Sequence, residues 1–593
     1  MKVIFLFLVA IFGYKVCKAE DVRVTLDNLG TIVGERIPFV YNDPPAVNRP
    51  IDTFKGIPYA EPPVGNLRLK KTVAKEPWQG DYIAKKFRNR CWSWRNVSFT
   101  DFLKEPQGEN CLFLNIWTPE AKEGNNYAVM IWIHGGGFDW GTGTSIIYDG
   151  DALAAYNDVV TVTINYRLNG HGFLSTGDRV IPGNFGIWDQ HQAMTWVKTH
   201  ISKFGGNPEK ITLFGQSAGA GSVGFHILSP HSRDLFNNGI LMSGSPYWVG
   251  NNPEGARRSA FRAGENLGCV NLTTSEQLLN CLQGIDERTF AYEMISTPSG
   301  PILDYDFFPD MPENIINQRL AKPCEIMLGT TKDDGSLTAM FLFVDQGFTD
   351  DPQCDRARWR RNLERYSGGN EYVADAIDLQ YTDWSKADDP DANYFYDFIA
   401  MSTDTSTCGQ EPMAREWANW GLDVYRYSFF YEPVNSIYPR VPTWKGVAHG
   451  DEMQFVFGNQ FQSQFANLTF PEKEITLSLD MMRHYTNFAK TGNPNEGGDN
   501  DGNNTNEEPY WPRFKLPDRI FKLHEPEMRD VNAYRADYCA LWQRFLPRLR
   551  AFTDPMSDVM ADWQNEYSIW DNVWMPTWRT EFADYQASNP PCN

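Results

Sequence analysis

Basic residues are scarce relative to acidic ones. The 593-residue chain carries 54 Lys and Arg against 75 Asp and Glu, a net charge of −21 at pH 7. A surface of this sign repels nucleic-acid phosphates and anionic lipids, so no nucleic-acid partner is expected; it attracts cations and keeps a protein soluble. Long apolar runs are also missing. Beyond residue 19 no stretch reaches the roughly 18 apolar residues that a membrane-spanning helix requires, so no transmembrane segment is expected. No C-x-x-C pair occurs among the ten Cys, and no metal site is expected. Asp499-Asn500-Asp501-Gly502 is like part of a calcium loop, but the remaining ligand positions do not follow. The surrounding Gly-, Asn- and Asp-rich stretch reads as a solvated loop. Repeats, low-complexity segments and a clear linker are absent from about Val22 to Arg550.

Several features point to an exported protein. Residues 1–19 read as a signal peptide: Lys2 is a basic start, Val3 to Tyr14 form a short apolar run, and Ala19 is a small residue at a cleavage position. The C-terminus ends in polar residues, so no lipid-anchor tail is expected. Asn96, Asn271, Asn467 and Asn503 stand in glycosylation sequons. Nine Cys follow the leader, and in an oxidising compartment most should pair. Nine is odd, so at least one stays free or bridges two chains, and Cys592 near the end is the candidate for an interchain disulfide.

Aromatic residues make up 14% of the chain, ample material for a large core. Short apolar runs alternate with longer mixed segments: Ala128 to Ile133, Val159 to Ile164, Ile211 to Phe214, Gly239 to Met242, Ile326 to Gly329 and Val424 to Phe430. Runs apolar on both faces, spaced by helix-length segments, read as the buried strands of a parallel α/β sheet.

The chemistry-bearing motifs sit at the ends of these runs. Gly215-Gln216-Ser217-Ala218-Gly219 follows Ile211 to Phe214 and precedes a small-residue helical segment, Ala220 to Leu228. Two glycines permit the sharp strand-to-helix turn that lifts a serine hydroxyl clear of a sheet. His134-Gly135-Gly136-Gly137 follows another apolar run, and its glycines let backbone N–H groups approach a developing oxyanion. A serine needs a base, and His449 lies in a loop-like segment, Val447 to Glu452. The acid orienting that base should fall between serine and histidine in the chain, at Asp333 or Asp334; spacing does not separate the two.

These motifs, with Phe54 to Ala60, Glu109 to Trp117 and Gly446 to Gly458, resemble the carboxylesterase/cholinesterase family over nearly the whole chain. The resemblance implies an α/β-hydrolase fold, a large and mostly parallel central sheet flanked by helices, over residues 20–550. It implies Ser217 as nucleophile, Asp334 as acid, His449 as base, and an oxyanion hole from Gly136, Gly137 and Ala218. It implies disulfides Cys91–Cys111, Cys269–Cys281 and Cys408–Cys539, and leaves Cys324 and Cys354 without a family pair, either to bridge each other or to stay free. No cofactor is implied. The family usually has Glu where Asp334 stands.

The expected activity is hydrolysis of acetylcholine or related choline esters by an acyl-enzyme mechanism, outside the cell, at a synapse or held at a cell surface by a partner. Departures from the family keep a broad-specificity carboxylesterase with a weakened choline site as an alternative, and a non-catalytic adhesion relative as another. The family's choline-binding Trp falls at Asp101 and Phe102 here, with Trp92 and Trp94 off register. Gln216 replaces an acid, Leu337 and Thr338 follow the acid motif in place of an aromatic, and Ile295 and Thr297 stand at the acyl-pocket positions. Trp140 is a candidate replacement aromatic. In residues 551–593, Trp563, Tyr567, Trp570, Trp574, Trp578, Phe582 and Tyr585 are spaced 4, 3, 4, 4, 4 and 3, a stripe along one helical face. It resembles the family's tetramerisation tail, which implies homodimers or homotetramers around a proline-rich anchoring partner. Pro576 should kink that helix at a cost of about 3 kcal/mol.

Overall fold

The computed structural model describes residues 20–93, 105–438, 440–497, 509–554, Trp563, Tyr567, Trp570 and 575–588. The leader, Asn96, Trp94, Asp101, Phe102, Asn503, the 499–502 motif, Trp574 and Cys592 therefore lie outside the described residues.

One mixed sheet organises the chain. Its spatial order is Glu20–Leu26, Gly30–Tyr41, Val47–Pro58, Phe113–Thr118, Val159–Ile164, Tyr127–Ile133, Gly206–Gln216, Asn238–Met242, Ile326–Thr331, Val424–Phe429, Ile520–His524 and Arg529–Asn532, with Asp81–Ile83 beside Gly30–Tyr41. From Val159–Ile164 to Ile520–His524 every neighbouring pair is parallel. The pairs before it along this order, and the last pair, are antiparallel, while Asp81–Ile83 runs parallel to Gly30–Tyr41. All six apolar runs read from the sequence are strands of the parallel part.

The reason is burial on both faces. In Tyr127–Ile133, Val129, Ile131 and Ile133 enter one apolar core while Ala128, Met130 and Trp132 enter another. Alternate side chains point to opposite faces, so a strand covered on both sides must be apolar throughout. Helices Phe185–His200 and Ala218–Leu228 close the first core, and Glu472–Thr491 closes the second through Leu477, Met481, Tyr485 and Phe488. The C-terminal ends of parallel strands share one edge, where α/β sheets hold their ligands.

Cys91–Cys111, Cys269–Cys281 and Cys408–Cys539 are bonded as the resemblance implied. Cys324 and Cys354 are not; both are buried free thiols. Cys324 packs in the first core and Cys354 in the second, so the sheet stands between them. Asn271 and Asn467 are exposed, as glycan acceptors must be. Pro576 is the second residue of the described helix Met575–Ser588, and residues 571–574 before it lie outside the described residues.

Burial pushes both free thiols up to about 12. A maleimide should therefore leave Cys324 and Cys354 unmodified in the native protein and label both after denaturation without reductant. A non-reduced peptide map with a 324–354 bridge would contradict this arrangement.

Candidate active site

Ser217 joins the strand Gly206–Gln216 to the helix Ala218–Leu228. Its backbone sits at φ 58° and ψ −123°, a conformation that costs an L-residue energy and persists only where its surroundings impose it. The surroundings here are explicit. Ser217 N–H donates to Met242 O at 2.8 Å, and Gly221 N–H donates to Ser217 O at 3.0 Å. A Cβ at Gly219 would stand 1.9 Å from Ile133 O, and one at Gly215 would stand 2.5 Å from the Gly219 backbone. Both glycines are needed for the turn to lie this close to the neighbouring strand.

The glycine run leaves that same neighbouring strand. Gly135 packs on the elbow, since a Cβ there would stand 2.6 Å from Gln216 O. Gly136 has φ 114°, and its O accepts the N–H of both Asp139 and Trp140 at 3.0 Å. Gly136 and Gly137 line a cavity of about 360 Å³ together with Ser217 and His449. Ala218 opens its helix, so its N–H has no acceptor within that helix. The first glycine's neighbour, His134, is buried and stacked on Tyr166, and burial brings its pKa down to about 4, leaving it neutral.

His449 and Asp334 meet across 115 residues of sequence: His449 Nδ1 lies 2.9 Å from Asp334 Oδ1. The same carboxylate oxygen accepts the Ser243 hydroxyl at 2.7 Å and the Thr331 hydroxyl at 3.1 Å. Burial pushes the Asp334 carboxyl upward, but the His449 imidazole and the Ser243 and Ser406 hydroxyls outweigh it, and its pKa falls below the ordinary value. Burial pushes His449 down, yet the Asp334 charge and hydrogen bond carry its pKa above 6.5. An ionised Asp334 keeps the proton on Nδ1 and leaves Nε2 free to act as a base. Nε2 is buried and forms no hydrogen bond among the described residues.

The structure also separates the two aspartates. Asp333 Oδ2 accepts Val447 N–H at 2.9 Å, and Asp333 N–H donates to Val447 O at 3.1 Å. Asp333 thus holds the backbone of the histidine loop, while Asp334 faces the ring.

Other expected residues divide. Trp140, Gln216 and Leu337 line the cavity; Ile295, Thr297 and Trp92 do not. Thr297 gives its hydroxyl to Glu293 O, and Trp92 Nε1 donates to Glu287. Two acids escaped sequence reasoning. Glu452 is buried beside His449, and burial pushes it up to about 8. Asp139 lines the cavity, and burial brings it to about 6. Each adjoins a motif already singled out, so position was a signal, but burial was not visible.

Comparison with known proteins agrees with this geometry. Residues 20–542 match the model of the Carboxylesterase family. The chain is 34% identical to the acetylcholinesterase of Danio rerio over 96% of its length and 95% of that protein. It is 34% identical to the acetylcholinesterase of Bungarus fasciatus, over 92% and 91%, and 32% identical to that of Electrophorus electricus, over 98% and 97%.

The Asp334–His449 pair sets a pH dependence. With the neutral imidazole as the expected base, kcat/KM should fall as pH drops through a pKa above 6.5. Asp334→Asn should lower kcat on the order of 10⁴-fold and move the acid limb of residual activity to lower pH, read from a pH profile of ester hydrolysis. An unmoved acid limb would contradict the coupling.

Proposed function

The chain belongs to the carboxylesterase family and is a serine carboxylic ester hydrolase, and from that premise we propose that Ser217, His449 and Asp334 carry out acyl transfer on small esters, choline esters among them. The observation supporting this is the Asp334–His449 hydrogen bond at 2.9 Å, on a cavity that the strained Ser217 also lines. Ser217 Oγ attacks the ester carbonyl carbon as His449 Nε2 takes its proton. Asp334 stabilises the imidazolium. The N–H groups of Gly136, Gly137 and Ala218 hold the oxyanion. The alcohol leaves with the proton from His449, and water repeats the sequence on the acyl-enzyme. The Nε2–Oγ hydrogen bond forms when substrate enters, because such contacts commonly tighten only in the complex.

Choline esters are favoured because the named relatives are acetylcholinesterases. Gln216 and Leu337 on the cavity wall are the departures that favour a broader carboxylesterase. The leader and the exposed sequons support export to the extracellular space.

The tail supports assembly of copies around a partner. Trp563, Tyr567, Trp570, Trp578, Phe582 and Tyr585 are all exposed, and Trp578 stacks on Phe582 at 5.2 Å between ring centres. Aromatic faces left in water on one helical stripe are a surface for other helices.

Ser217→Ala should abolish covalent labelling by an organophosphate and lower ester turnover by several orders of magnitude; labelling that survives the substitution would overturn the nucleophile assignment. Sedimentation should show the full chain as an oligomer and a version ending at Arg550 as a monomer. Equal monomeric sizes would remove the tail's role.

A further inference from the structure

The chain between the helices Glu287–Ser296 and Pro312–Asn317 holds one tyrosine, and the fold turns it outward. Leu303 on one side and Phe307 and Phe308 on the other are buried in the first core. Tyr305 stands between these anchors at φ 56°, in the left-handed region that few residues with a side chain adopt. Asp304 Oδ1 holds the turn by accepting the N–H of Asp306 at 3.2 Å and of Phe308 at 3.0 Å. Tyr305 is 74% exposed, more than any other large apolar or aromatic side chain among the described residues. Burying an aromatic ring is favourable, so a turn that holds one in water points to use of its hydroxyl.

We propose that Tyr305 is a tyrosine O-sulfation site, modified before the protein leaves the cell. The inference rests on the export reading, because sulfate donors and the transferases that use them meet secreted chains on their way out.

The charge around the phenol suits such a transferase. Asp304 and Asp306 flank Tyr305 directly, and Asp310 follows in the same turn-rich segment. Burial pushes Asp306 up, but Lys71 and His231 outweigh it, and its pKa falls below the ordinary value. Asn314 and the Met311 N–H hold Asp310 low as well, so both acids are charged at neutral pH. An enzyme that moves a sulfonyl group from an anionic donor needs cations in its cleft, and those cations attract a phenol set among carboxylates. Access is the second requirement. Residues 303–311 belong to no helix or strand, so the ring can enter a cleft without breaking either. Neither a cysteine nor a sequon stands between Ile295 and Ile315, so no disulfide or glycan is attached beside it. Tyr372, Tyr396 and Tyr585 are also exposed and adjoin acids, but they lie within helices.

The step is a group transfer without oxidation or reduction. Tyr305 Oη attacks the sulfur of an adenylyl sulfate donor. The bond from sulfur to the donor's phosphate oxygen breaks as the new O–S bond forms, the nucleotide phosphate departs, and the phenolic proton is released. A titratable phenol becomes a fixed anion.

The test uses the full chain secreted from cultured animal cells. The tryptic peptide Thr289 to Arg319 from the medium should be about 80 Da heavier than its sequence, the mass of one added sulfonyl group. The gain should vanish in Tyr305→Phe and in cells grown with chlorate, which blocks formation of the donor, and should survive phosphatase. Ester turnover of Tyr305→Phe should stay within about twofold of wild type, which shows that the variant is folded. A secreted peptide found only at its unmodified mass, a gain that persists in Tyr305→Phe, or one removed by phosphatase overturns the sulfation site and leaves export intact. Retention of the chain inside the cells with its leader uncleaved overturns the export reading, and the sulfation site falls with it.

Discussion

The hydrogen bond between His449 and Asp334 depends on a short chain of contacts that also fixes the serine. Ser217 N–H donates to Met242 O. The next residue, Ser243, donates its N–H to Gly329 O at 2.7 Å and its hydroxyl to Asp334. Asp334 in turn meets His449. The strands Asn238–Met242 and Ile326–Thr331 are parallel neighbours, so these residues reach one edge of the sheet together. Parallel pairing is thus what lets groups far apart in sequence converge. Asp333 adds the last restraint by bonding both ways to Val447 in the loop carrying the histidine.

Much of this was legible in the sequence, for physical reasons. A strand buried on both faces must be apolar at every position, so the six central strands announced themselves. The antiparallel strands at the N-terminal edge did not. Gly30–Tyr41 carries Glu35, Arg36 and Pro38 among its apolar residues, and its burial alternates irregularly. The elbow and the glycine run were readable because steric demands on glycine are local. Whether Cys324 and Cys354 pair was not legible, because a cysteine's place in the chain does not report which face of the sheet it occupies. Asp333 and Asp334 could not be told apart because adjacent residues differ only in direction, which the fold supplies.

Burial acts on the acids of this site in opposite ways, and the difference lies in their donors. Desolvation raises every buried carboxyl. Asp334 receives an imidazole and several hydroxyls, which reverse the effect and keep it ionised. For Glu452 burial outweighs a backbone hydrogen bond and the pull of His449, and pushes it up to about 8. Asp139 also lacks a compensating charge, but it is only part-buried and rises less.

That division matters for His449, the proposed base. A negative charge at Glu452 raises the pKa of His449, as does the charge at Asp334. Were both acids ionised at neutral pH, the imidazole would hold its proton more tightly, and less of it would stand ready to accept one from Ser217. Because Glu452 is pushed to about 8, it is largely protonated near neutrality and His449 feels mainly one carboxylate. One charge is enough to orient the ring and stabilise the imidazolium; a second would trap it. The burial that keeps Glu452 largely protonated thus leaves the neighbouring histidine better able to act as the proposed base.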